Sequence, residues 1–170
     1  MSFSSKVNMS ERARWYVVHT YSGYENKVKA NLEKTVENRN LESLLLDIQV
    51  PMEEVIEEKD GKQKVSLKKK FPGYVLVRMF MTDESWYVVR NTRGVTGFVG
   101  SGTDPIPLTD EGIIISEKLS DDLNIHVGDT VTIESKKGVR KKVQVSGICE
   151  MYIQHYAFIS KPLYEKLFDT

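Results

Sequence analysis

Few residues in this chain have the types and spacing that chemistry requires. The three histidines, His19, His126 and His155, stand far apart, without the HxxxH or HExxH spacing that sets two imidazoles around a metal. The single cysteine, Cys149, excludes a disulfide framework, a CxxC redox pair and a cysteine-rich zinc site. Cys149 and His155 make a nominal nucleophile and base, but no pattern supplies the third group that would orient the imidazole. A lone cysteine in an apolar strand usually packs as a small hydrophobe. Gly94, Gly97, Gly100 and Gly102 are not followed by Gly-Lys-Ser/Thr and a helix, so they read as turns around a short strand rather than a phosphate loop. The expectation is a non-enzyme with no cofactor and no metal.

Binding chemistry is better represented. Phe71-Pro72-Gly73-Tyr74 follows three lysines and opens an apolar strand. It reads either as a plain strand entrance or as part of an exposed aromatic patch with Trp15 and Tyr16 nearby. Trp15 and Tyr16 are strand neighbours and face opposite ways, which leaves at most one of them for the surface. Lys59, Lys62, Lys64, Lys68, Lys69 and Lys70 gather on and after a hairpin. They form either a charged edge that blocks aggregation or a set of phosphate contacts, partly cancelled by Glu53, Glu54, Glu57 and Glu58. Asn91-Thr92 suits a helix C-terminal turn, and both side chains also suit hydrogen bonding to exposed bases.

The elements that must position these groups follow from periodicity. Trp15 to Tyr21 is rich in aromatic and β-branched residues and reads as a strand. Ser22 and Glu25 have capping-box spacing, and Tyr24, Val28, Leu32 and Val36 recur on one helix face to about Arg39. Asp47 to Ile56 is extended, Asp60-Gly61 turns a hairpin, and Gly73 to Phe80 is a buried strand. Asp83 caps a short helix through about Arg90 with Trp86 and Val89 inward, and Thr96 to Val99 closes the set. The order is β-α-β-β-α-β with an inserted hairpin, a ferredoxin-like split β-α-β plan in the α+β class. That plan hosts many functions.

RWYVVHTYSGYENKVKANLE (Arg14 to Glu33), FPGYVLVRM (Phe71 to Met79) and SWYVVRNTRGVTGFVG (Ser85 to Gly100) stand in the order and spacing of the N-terminal domain of the NusG family. This segment, about residues 12–111, therefore resembles a bacterial transcription elongation factor. The resemblance implies docking on the β′ clamp helices of RNA polymerase, reaching toward its β subunit, with effects on pausing, termination and antitermination. It assigns Phe71, with Trp15, Tyr16 and Tyr74, to polymerase binding. It assigns Asn91, Thr92 and Arg93, with Lys68 and Lys69 as phosphate contacts, to nucleic acid, in the first instance the non-template DNA strand. Arg93 stands where the family commonly has proline.

The whole chain has 170 residues, 40% hydrophobic and 28% charged, with 24 basic and 24 acidic side chains, so any electrostatic function must come from local patches. No apolar run approaches the roughly 18 to 20 residues of a spanning helix, and Met1 to Ser10 has no apolar signal core, which together predict the cytoplasm and no membrane partner. Four segments are expected: a disordered tail at 1–11, a first domain at 12–104, a linker at 105–112 and a small α+β module at 113–170. In the last, Ser116 caps a helix to Leu123. Thr130 to Glu134 pairs with Lys141 to Ile148 across Lys136-Lys137-Gly138, and a helix closes at Phe168. This stretch lacks the glycines of the KOW domain that normally recruits Rho or a ribosomal protein. Residues 112–168 instead resemble part of the extracytoplasmic domain of an FtsX/MacB-type permease. The alternatives are thus a partner-binding permease module, or a chimera without KOW recruitment.

Overall fold

The computed structural model describes residues 12–101, 104–150 and 156–168; the expected N-terminal tail and His155 lie outside these. The elements of the first unit are β1 (Arg14–Thr20), α1 (Glu25–Asn38), β2 (Leu45–Gln49), β3 (Met52–Lys59), β4 (Lys62–Lys69), β5 (Tyr74–Met79), α2 (Asp83–Arg90) and β6 (Val95–Phe98). Four of its strands form a sheet in the order β2-β5-β1-β6, every neighbouring pair antiparallel. Two central strands, two crossover helices and an order that places the last strand beside the first make the split β-α-β plan. The inserted β3–β4 hairpin is a separate two-stranded ribbon. Its turn is Asp60 at φ 55° and Gly61 at φ 72°, and two successive left-handed residues match the twist of the strands they join.

Strand alternation sorts the side chains of this sheet into two cores. Tyr16 and Val18 of β1, with Val75, Val77 and Met79 of β5, face the helices, where Val28, Leu32 and Val36 of α1 and Val88 and Val89 of α2 cover them. Helix α1 starts two residues later than a Ser22 capping box requires. Its N-cap is Tyr24, whose side chain makes no cap hydrogen bond, and Ser22 is exposed. Tyr24 consequently leaves the apolar face, and Glu25 is buried in its place. Helix α2 is capped by Thr82 rather than Asp83. The Thr82 hydroxyl accepts from the Ser85 backbone N–H, and the Ser85 hydroxyl accepts from the Thr82 N–H.

Two short strands, β7 (Gly100–Ser101) and β8 (Asp104–Pro105), lead into the second unit: β9 (Gly112–Ser116), α3 (Glu117–Leu123), β10 (Thr130–Glu134), β11 (Arg140–Cys149), β12 (Ala157–Phe158) and α4 (Lys161–Phe168). Its sheet has the order β10-β11-β9-β12, with β9 and β11 parallel and the outer pairs antiparallel. Ser116 caps α3 by accepting from the Leu119 N–H, and Ser160 does the same for α4 from Leu163. Ile113, Ile115, Val143 and Val145 face these helices together with Leu163.

The opposite faces of the two sheets meet. Val17, Tyr74 and Leu76 of the first sheet pack with Val99, Ile106, Leu108, Ile114, Cys149 and Phe158 in one core. Tyr74 sits edge-on to both Tyr156 and Phe158, at ring separations of 5.9 and 5.8 Å. The stretch expected as a linker is part of this layer. Ile106 N–H donates to Val99 O at 3.2 Å and Leu108 N–H donates to Trp15 O at 2.8 Å, while Asp110 accepts from the Ser160 hydroxyl at 2.8 Å. Apolar Ile106 and Leu108, between and after the two prolines, explain why this strap is bound down.

A shared core couples the stabilities of the two units. Ile114→Ala, at a position 1% exposed, is expected to lower stability by about 2–5 kcal/mol. Urea unfolding of parent and variant should each show a single transition; two separate midpoints would show that the units unfold independently.

Candidate docking and nucleic-acid interface

The Phe71–Tyr74 segment is a β-turn closed by the Tyr74 N–H donating to Phe71 O at 3.2 Å. Pro72 takes the corner its fixed φ favours. Gly73 takes the next corner at φ +84°, a conformation that strains an L side chain. The turn is tied down from both sides. Gly73 O accepts from Thr20 N–H at 2.8 Å, and Gly73 N–H donates to Glu25 Oε1 at 2.6 Å. The second oxygen of Glu25 takes the Lys69 ammonium at 2.6 Å, and Gly23 N–H also reaches Oε1, at 3.3 Å. Glu25 is fully buried. Burial alone would raise its pKa, but Lys69, then the N–H groups of Gly73, Glu25 itself and Gly23, outweigh it and hold the carboxyl down to about 2.

This anchoring presents Phe71 outward: the residue is 44% exposed, with the Lys70 ammonium 5.7 Å from its ring centroid. Two further rings at this end of the sheet, Tyr21 and Tyr24, are exposed and stand edge to face at 6.1 Å. The Asn91–Gly94 turn joins the same end, because Tyr21 N–H donates to Gly94 O at 3.0 Å. The backbone of Thr20 and Tyr21 thus carries the Phe71 turn on one side and the Asn91 turn on the other.

The other expected docking rings are elsewhere. Tyr16 faces the helix-side core against Phe98, so it is the member of the Trp15–Tyr16 pair that the surface loses. Trp15 lies at the far end of β1, half-buried and bridged to Leu108. Tyr74 is sealed between the sheets, where burial, with Tyr156 and Cys149 adding, pushes its hydroxyl up to about 12. One continuous patch of Phe71, Trp15, Tyr16 and Tyr74 therefore does not exist in this conformation: alternation sends Tyr16 inward, and the second unit covers Tyr74. Cys149 shares that core, and burial drives its thiol up to about 11, which leaves it inert.

Among the nucleic-acid candidates, Lys69 is committed to Glu25 and Lys68 pairs with Glu57 across the ribbon. Asn91 is the C-cap of α2 and its amide donates to Tyr87 O at 2.8 Å; the Thr92 hydroxyl donates to Val88 O at 2.7 Å. Both side chains thus close the helix; Asn91 and Arg93 are exposed, and Arg93 is the cation of this turn. Sequence reasoning missed Tyr21, Tyr24 and the anchoring role of Glu25. The signal for Tyr24 was its place directly before the helix rather than in it. For Glu25 the local signal is incomplete, since its two shortest partners, Lys69 and Gly73, lie more than forty residues away.

A split β-α-β domain hosts many functions, and here it presents exposed rings on a tied-down turn. The chain matches the family described as NusG, transcription termination factor nusG, over residues 13–116. It is 54% identical over 132 residues to the transcription termination/antitermination proteins NusG of Staphylococcus aureus strains Mu50 and N315, covering 72% of this chain and 72% of each of those. It is also similar to the solved structure "Domain interaction in Thermotoga maritima NusG", with 28% identity, a TM-score of 0.47, and coverage of 79% of this chain and 94% of that one. The chain belongs to the NusG family and is a transcription elongation factor of the termination and antitermination type. The family match runs past Glu111 through β9, and nothing in these similarities supports a permease origin for the residues that follow.

Glu25 sets a pH signature. Its folded pKa lies below the ordinary 4.5, so its stabilisation is complete above about pH 4.5 and is lost as pH falls toward about 2. Glu25→Gln cannot titrate and leaves Lys69 without its counter-charge. It should be less stable than the parent at pH 7, with the gap closing as pH is lowered through that window. A gap independent of pH, in urea unfolding followed from pH 7 to pH 3, would mean the carboxylate charge plays no part.

Proposed function

We propose that this factor docks on RNA polymerase through the Phe71 end of the first sheet, with Phe71 as the anchor and Tyr21 and Tyr24 beside it. The observation that carries this reading is a large ring held outward on a turn fixed by a buried ion pair. Rigid exposed aromatics concentrate binding energy at protein interfaces, and a ring held before contact costs little ordering entropy. The likeness of the Phe71 turn to the polymerase-contacting segment of NusG proteins supports the β′ clamp helices as the partner surface, with the β subunit beyond. The adjoining Asn91–Arg93 turn faces the nucleic acid of the complex, Arg93 supplying the cation and Asn91 and Thr92 shaping the turn. Trp15 and Tyr74 join the docking surface only when the second unit leaves the sheet. On this reading the protein is a non-enzymatic factor of the cytoplasm that acts on pausing and termination, with a first domain at 12–104 and a second at 113–170. The second, with its parallel β9–β11 pair and two helices, is no small antiparallel barrel, which argues against KOW-type capture of Rho or a ribosomal protein.

Phe71→Ala should weaken binding of the full chain to core RNA polymerase by about 2 kcal/mol or more, roughly thirtyfold. Arg93→Ala should leave that affinity intact and change pause lifetimes on a purified template. Equal affinity of parent and Phe71→Ala would remove Phe71 from the interface.

A further inference from the structure

The chain carries two lysine-rich hairpins, and only one of them is neutralised. In the β3–β4 ribbon the register sets Glu53 opposite Lys68 and Glu57 opposite Lys64, and Lys68 and Lys69 hold carboxylates. The β10–β11 hairpin has no acidic strand. Lys136, Lys137, Arg140, Lys141 and Lys142 are all exposed and no acidic residue stands among them. The nearest, Glu134, is taken by Arg140, Oε2 to Nε at 2.6 Å. The four lysines make no ion pair with the described residues. Of the other acids of this unit among the described residues, Glu117, Asp121 and Asp122 lie on α3, Asp129 precedes β10, Glu150 follows β11 and Glu165 lies on α4.

The tip is also preformed. Gly138 N–H donates to Ser135 O at 2.9 Å, Ser135 N–H donates to Val139 O at 2.9 Å, and Val139 N–H donates to the Ser135 hydroxyl at 3.2 Å. Gly138 takes φ +78°, which leaves Lys136 and Lys137 on the two corners of the turn. Along β11, Val143 and Val145 face the core, so Arg140 and Lys142 project from the outer face, Lys142 beside Thr132. No aromatic residue lies between Thr130 and Ile148, so the ribbon lacks the stacking platforms that single strands use. A two-stranded ribbon is a shape the major groove of B-form DNA admits, whereas the major groove of duplex RNA is too narrow for side chains to read.

We propose that the tip of the β10–β11 hairpin binds the phosphate backbone of duplex DNA, positioning the second unit without reading bases. This site is distinct from the polymerase surface and is tested without polymerase, so either reading can fail alone. The full chain is titrated with a short random-sequence DNA duplex over a range of salt. Log affinity should fall with log salt with a slope of about −3 to −4, about −0.9 for each of the four lysines. Lys136→Gln, Lys137→Gln, Lys141→Gln and Lys142→Gln together should weaken binding at least about tenfold at low salt and flatten the slope. Lys68→Gln, whose ammonium is held by Glu57 on the β3–β4 ribbon, should leave both unchanged. An unchanged thermal midpoint shows that the variants remain folded. Parent-like affinity in the quadruple variant overturns the proposal. So does tighter binding to the single strand than to the duplex, and so does binding to anionic lipid vesicles without binding to the duplex.

Discussion

A single carboxylate shut off from water fastens the functional end of this molecule. Glu25 stands at the first position of α1, accepts from the backbone of Gly73 and takes the ammonium of Lys69 at the end of the inserted ribbon. The start of α1 and the distant Lys69–Gly73 segment are thus joined through two oxygen atoms. A buried charge is costly unless it is paired and its remaining lone pairs are filled, and here both conditions hold. The arrangement cannot relax piecemeal, since removing any donor leaves an ion without solvent. That makes the Phe71 turn a rigid feature, and rigidity is what an anchoring ring requires.

The second constraint is that the central strands are buried on both faces. Val17 and Val18, or Val75 and Leu76, go to different cores, so neither β1 nor β5 has a face left for a partner. The four-stranded sheet can therefore offer a partner only its ends, in turns and helix caps. This explains why Phe71, Tyr21 and Tyr24 are available while Tyr16 and Tyr74, in regular strand positions, are not. It also makes the second unit more than an appendage. It closes a hydrophobic face that would otherwise be open to water, with Ile114, Cys149 and Phe158 supplying the apolar surface.

Most of the first sheet was legible because period-two and period-four patterns are local. The strands around Val17 and Val75, helix α1 through Val28, Leu32 and Val36, and the Asp60-Gly61 turn all follow from neighbours within a few residues. What could not be read were the long-range choices. Ser22 and Glu25 have the spacing of a capping box, yet the Glu25 carboxylate is taken by Gly73, and the N-cap is Tyr24. Pro105 and Pro107 look like linker punctuation, but Ile106 and Leu108 between and after them found an apolar face, which no local rule reports. The separation of Trp15 from Tyr16 was implied by alternation. Which of the two stays near the surface depended on what covers each face.

The two hairpins show how the same residue type is given opposite meanings by its cross-strand neighbour. A lysine facing a glutamate across an antiparallel pair is a stability element, of small magnitude and screened by salt. A lysine facing threonine or isoleucine, as Lys142 faces Thr132 and Lys141 faces Ile133, gains nothing from its partner strand. Its charge is left to the surroundings, and a cluster of such charges on a rigid turn raises the local potential where a single flexible lysine would not. Counted along the chain the two runs are alike, with five cations in Lys62–Lys70 and five in Lys136–Lys142. Register separates them, because acidic β3 is folded back against β4, while the lysines of β11 are folded against a strand whose one acid is already engaged.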